Sequence, residues 1–232
     1  MKQHFWGFPK VWTLLHNGII IGSLCSPYNV SKFCMVPAAG ISLLAFGIKM
    51  NGIKNPADFI TYFRILLMVG FLILFPFLPS VWYALYLAIA ILMLDGLDGY
   101  VARKFDATNT GATLDMEADA LYTMILCLIL AHEHHVSPII LAIAWWRPIY
   151  VFYETYMVAC LPSHRPVARY IWQSKAICAF SISTLIILMV QIAAQELRNI
   201  LITLTIALIS YSFMKDIIPP WFGNSREIKI TK

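Results

Sequence analysis

Residues 57–94 carry only two charged side chains, Asp58 and Arg64, in a run broken once, at Leu78-Pro79-Ser80. A helix needs about 20 residues to cross the ~30 Å hydrocarbon core of a bilayer, so two apolar stretches, 57–79 and 81–104, have the length of spans. Composition extends the argument to the whole chain. With 60% hydrophobic and 12% charged residues, 232 residues have too little polar surface to cover a soluble globule. The expected class is all-α, a polytopic transmembrane helix bundle. Six core spans are expected at 57–79, 81–104, 111–130, 138–161, 177–194 and 199–214. Two shorter apolar stretches, 11–24 and 33–48, precede them, and Pro37 interrupts the second. They read as an N-terminal accessory helical hairpin, with membrane-surface helices as the alternative. The expected organisation is therefore a hairpin over 1–54, a transmembrane domain over 55–216 and a basic tail over 217–232.

The first residues, MKQHFWGFPKVW, lack the apolar core and small-residue site of a cleaved signal peptide. Five cysteines show no C-x-x-C pairing and read as buried free thiols. Basic residues are scattered through short loops with no patch of interleaved aromatics, which excludes a nucleic-acid partner. Their distribution sets orientation. Nearly all loop lysines and arginines, from Lys2 to Lys232, fall on one side of the six-span arrangement, against Lys32 and Arg198 on the other. That side is the cytoplasmic one, and it holds both termini.

Six of the twelve acidic residues lie between Asp95 and Asp119, in LDGLDGYVARKFDATNTGATLDMEADALY. Asp95 and Asp98 are three apart, Asp115 and Asp119 four apart, so each pair lies on one face of its own helix. A helical hairpin turning through 104–110 brings the four carboxylates together at the cytoplasmic mouth of the second and third spans. Carboxylates so close repel one another unless cations neutralise them, and all-oxygen ligands favour Mg²⁺, Mn²⁺ or Ca²⁺. Glycines at 96, 99 and 111, with Ala102 and Ala112, strip side chains from the same faces and let a ligand or partner helix approach the backbone.

The pattern D-x2-D-G-x2-A-R-x7-G-x3-D-x3-D, from Asp95 through Asp98, Gly99, Ala102, Arg103, Gly111 and Asp115 to Asp119, resembles the signature of the CDP-alcohol phosphatidyltransferases. The resemblance implies a membrane enzyme moving a phosphatidyl group from CDP-diacylglycerol to a small alcohol and releasing CMP. It also implies two Mg²⁺ or Mn²⁺ ions held by Asp95, Asp98, Asp115 and Asp119, with Asp119 as general base, and a homodimer in the lipid bilayer. Gly99, Ala102 and Gly111 would leave room for the cytidine diphosphate, Arg103 would meet phosphate or fix the carboxylates, and Thr108 would hydrogen-bond the donor. Near the start of the first core span, Asp58, Thr61 and Arg64 share one helical stripe. In the family a comparable stripe, usually beginning with Asn, lies against the CDP group. The competing reading is a capped helix start with a snorkelling arginine.

Arg147 and Glu154, seven apart in the fourth span, form either an ion pair or part of an acceptor site. The turn His132-Glu-His-His135 is a solvated connection about 25–30 Å from the acids. Asp106 faces water, and Glu117, pointing away from Asp115 and Asp119, is structural. Arg165, Arg169 and Lys175 are available to a phosphorylated acceptor. Two other functions are weighed: a divalent-cation transporter, which would distribute its acids through the depth of the bundle, and a transferase joining a soluble CDP-alcohol to diacylglycerol.

Overall fold

A computed structural model describes residues 8–25, 29–50, 56–102, 104, 109–132, 136–160, 171–190 and 195–217. These form eight α-helices and two short 3-10 turns, with no strand among the described residues. The helices are α1 (Phe8–Cys25), α2 (Asn29–Met50), α3 (Pro56–Leu74), α4 (Val81–Ala102), α5 (Asn109–His132), α6 (Leu141–Cys160), α7 (Ile171–Met189) and α8 (Gln195–Ile217).

Local sequence sets the boundaries. Pro56 opens α3, where a missing N–H costs nothing. At the other end a 3-10 turn, Phe75–Phe77, runs into Leu78, whose ψ of 130° is the extended conformation expected before Pro79. Ser80 then accepts a hydrogen bond from the Trp82 amide at 3.2 Å and starts α4. Ser137 accepts from Ile139 ahead of α6. Two expectations shift. The helix α2 runs through Pro37 where an interruption was expected, and α7 begins at Ile171, six residues before the expected span.

The centre of the bundle is α5. From Leu121 to Leu130 every residue but Thr123 is buried, the pattern of a helix packed on all sides. It packs against α2, α3, α6 and α7. On one flank α1 and α2 lie together, joined by the stack of Trp12 on Phe46 at 3.8 Å and by the Trp12 indole donating to Ser42 at 3.1 Å. In turn α2 reaches α3 at close range: a Cβ at Gly40 would strike Val69, and one at Gly47 the Tyr62 ring. On the other flank α6 meets α8 through Trp146 on Phe213 and a Tyr153 hydroxyl donating to the Ile217 carbonyl at 3.1 Å.

The outside is apolar. Phe59, Phe63 and Leu66 on α3, and Leu197, Ile200 and Leu204 on α8, are exposed. On α4, Trp82 and Tyr83 stand exposed at one end and Tyr100 at the other. At 1.5 Å per residue Tyr83 and Tyr100 are ~26 Å apart, the spacing of two aromatic belts across a bilayer core. Among the described residues three helical segments are long and apolar enough to cross a membrane: Pro56–Phe77, Val81–Val101 and Gln195–Lys215. Val11–Cys25, Met35–Lys49 and Ala176–Met189 are shorter apolar helices.

Candidate active site

Three helices build the site. Asp95 and Asp98 sit near the C-terminal end of α4, Asp115 and Asp119 in the first half of α5, and Thr61 and Arg64 on α3. Ala84 and Ala88 on α4 and Ala118 on α5 are buried, and α3 packs against both helices. The Tyr122 hydroxyl donates to the Ala88 carbonyl at 2.6 Å and fixes α5 against α4 one turn below Asp119.

Oxygens of Asp95, Asp115 and Asp119 lie within 4.8 Å of one another. Beneath them is Arg64, fully buried, a placement that rules out snorkelling. One of its terminal nitrogens pairs with Asp95; the other donates to Asp115 at 3.1 Å and Asp119 at 3.2 Å. One guanidinium cannot neutralise three carboxylates, so the cluster keeps net negative charge. The carboxylates are open on the side away from Arg64, with side-chain exposures of 39% for Asp95, 50% for Asp115 and 30% for Asp119.

The donor set suits a hard divalent cation. All three donors are oxygens, and a shared ion at ~2.1–2.4 Å from each ligand tolerates oxygen separations up to about 4.8 Å. A Cβ added at Gly96 or Gly99 would meet nothing within 4 Å, so the surface beside the carboxylates is free for a ligand. Asp98 stands apart from the trio. It is buried and accepts a hydrogen bond from the Thr61 hydroxyl, whose oxygen also lies 3.1 Å from the Ala57 carbonyl. Asp58 is buried one turn before Thr61 on α3. The stripe of Asp58, Thr61 and Arg64 therefore faces inward along its length, toward the acids.

Of the remaining expected site residues, Ala102 ends α4 and Gly111 lies in the first turns of α5. Arg103, Thr108, Asp106, Arg165 and Arg169 fall outside the described residues, as do residues 133–135. Two residues of the site were not expected in their roles. Arg64 was on the stripe, but its position alone could not say that it reaches three carboxylates on two other helices. Tyr122 had no signal beyond its place one turn past Ala118.

A second ionic cluster lies on the other side of α5. Glu117 is fully buried and accepts from Arg147 of α6 at 2.5 Å and from the Asn17 carboxamide of α1 at 3.2 Å. The ion pair expected as one alternative for Arg147 therefore forms with Glu117. Glu154 is exposed, because the seven-residue repeat that puts it on the Arg147 face carries it two turns toward the helix end.

The family model of the CDP-alcohol phosphatidyltransferases matches residues 54–211. No curated protein and no solved structure matches the chain. The matched segment runs from the start of α3 into α8 and contains all four aspartates of the motif together with Thr61 and Arg64. Together with the apolar exterior, it marks an integral membrane protein. A match covering most of the chain, with Asp95, Asp115 and Asp119 meeting in space within it, makes this chain a member of the CDP-alcohol phosphatidyltransferase family.

Proposed function

We propose that the protein transfers a phosphatidyl group from CDP-diacylglycerol to the hydroxyl of a small alcohol and releases CMP. The observation that carries the reading is the convergence of Asp95, Asp115 and Asp119 within 4.8 Å, inside the matched family segment and open on the side away from Arg64.

In this reading Asp95, Asp98, Asp115 and Asp119 hold two divalent ions, Mg²⁺ or Mn²⁺. When bound, such ions neutralise the pyrophosphate and ease departure of its leaving half. Arg64 keeps the three converging carboxylates oriented from below. Asp58 and Thr61 border the CDP group, and Thr61 fixes Asp98. Gly99, Ala102 and Gly111 leave the backbone accessible to the nucleotide, while Arg103 and Thr108 contact the donor phosphates. The acceptor oxygen forms a bond to the phosphatidyl phosphorus as the bond from that phosphorus to the bridging oxygen breaks. CMP leaves with the electron pair, and Asp119 takes the hydroxyl proton.

The six spans, the cytoplasmic placement of the acids and a homodimeric assembly belong to the same proposal. Domain limits of 1–54, 55–216 and 217–232 go with it. The charge distribution supports the orientation. Cation transport is less well supported, since the carboxylates gather at one depth of the bundle. The test is release of CMP from CDP-diacylglycerol by purified protein with Mg²⁺ or Mn²⁺ and a panel of alcohols, run beside metal flux in liposomes. CMP formation with at least one alcohol is expected. CMP formation only when a soluble CDP-alcohol and diacylglycerol are supplied would reverse the roles of donor and acceptor, and flux without CMP would overturn the enzyme reading.

A further inference from the structure

Glu117 occupies an unusual position: on α5 between Asp115 and Asp119, two residues from each. At 100° per residue it points about 160–200° away from both, so it lies behind the same turn that presents them. Buried completely, it is held by Arg147 at 2.5 Å and by the Nδ2 of Asn17 at 3.2 Å. Asn17 is also fully buried, and the same Nδ2 donates to the Thr13 carbonyl at 2.9 Å within α1. The turn of α5 bearing the two aspartates is therefore gripped on both sides, by Arg64 of α3 in front and by Arg147 of α6 and Asn17 of α1 behind.

The geometry points to a positioning brace: Asn17 and Arg147 clamp Glu117 so that α5 holds its rotational setting and Asp115 and Asp119 stay aimed at the cation site. Plain packing does not account for the arrangement. A buried ion pair is a poor source of stability compared with apolar side chains of the same volume, so its retention on this turn calls for another role. The site also tolerates little rotation. Turning α5 by about 20° would carry a carboxylate roughly 6 Å off the axis through about 2 Å, far outside the tolerance of a metal ligand.

Asn17 lies outside residues 54–211, so the brace reaches beyond the segment shared with the family. The N-terminal helix α1 is thereby made part of the site's support. The inference rests on the proposed metal-dependent reaction for its role, and its test is separable from that reaction.

Mn²⁺ binding is measured on purified full-length protein by electron paramagnetic resonance, together with kcat and KM for CDP-diacylglycerol, at a temperature where each variant is folded. In Glu117→Gln the Mn²⁺ dissociation constant should rise about tenfold and kcat fall by a similar factor, with KM for the lipid changed less than about twofold. Asn17→Leu should move Mn²⁺ affinity in the same direction by less, and Arg147→Lys, which keeps the charge, should stay nearest wild type. Because unpairing a buried charge endangers folding, Asn17→Leu is the deciding variant if Glu117→Gln does not fold. Wild-type Mn²⁺ affinity in every folded variant overturns the brace even if CMP is released. Weakened Mn²⁺ binding in the variants upholds it even if wild-type protein releases no CMP, which would count against the transfer reaction alone. A wild-type protein that binds no Mn²⁺ overturns both.

Discussion

Arg64 is the residue on which the candidate site turns. It lies at the end of the Asp58-Thr61-Arg64 stripe, which is legible in the sequence as helical spacing. Its burial and its three partners are not legible, because spacing assigns a residue to a face of its own helix and leaves open which helices that face meets. The structure joins α3 to α4 and α5 at this point, so the guanidinium acts as a fixed cation beneath the carboxylates. Arg64→Gln should lower the stability of metal-free protein by about 1–2 kcal/mol, a modest figure because the carboxylates remain partly solvated. Melting in EDTA checks this, and added Mn²⁺ should recover more stability in the variant than in wild type. Asp119→Asn tests the proton acceptor. It should leave the protein folded and reduce CMP release at least about a hundredfold at saturating substrates; retained turnover would remove Asp119 as base. That Asp115 and Asp119 act together followed from spacing, but the absence of Asp98 from the cluster that Asp95 joins did not. It arises from the Thr61 hydroxyl, one helix away.

Among the elements, α5 carries most of the consequences. Its polar first half presents aspartates to one side and Glu117 to the other, while from Leu121 to Leu130 all but Thr123 are buried. That division was visible in the sequence, as was the structural character of Glu117. The partner of Glu117 was not, since Arg147 lies thirty residues on and Glu154 offered a nearer match on its own helix face. Removing Arg147 leaves Glu117 buried and uncompensated, so Arg147→Met should destabilise the protein by about 3–5 kcal/mol. Glu154→Gln, at an exposed position, should change stability by no more than about 0.5 kcal/mol. Chemical denaturation of the two variants in the same detergent distinguishes these outcomes, and equal effects would contradict the assigned pairing. Close contact between α2 and α3 is a second element-level feature without a sequence signal. A glycine in an apolar stretch, such as Gly40, gives no sign of the valine it touches until both helices are in place.

At the scale of the whole molecule, apolar composition and helix length made an all-helical membrane bundle legible before any coordinates. Three segments reach spanning length and apolarity among the described residues, fewer than the six spans expected from the sequence. The reason is physical for α5: Asp115, Glu117 and Asp119 interrupt its apolar character where it supplies the site. The proposed orientation predicts that a reporter joined after Lys232 is active only in the cytoplasm; activity on the opposite side would invert the arrangement and put the acids away from a cytosolic nucleotide. The central claim is that aspartates brought together from α4 and α5 serve cleavage of a lipid-linked pyrophosphate. Its most direct test is quantification of CMP from purified protein supplied with CDP-diacylglycerol, a panel of alcohols and Mn²⁺, with Asp115→Asn alongside. CMP that appears with wild-type protein, requires the metal and falls to background in the variant is the predicted result; CMP release that persists undiminished in EDTA or in Asp115→Asn would contradict the account.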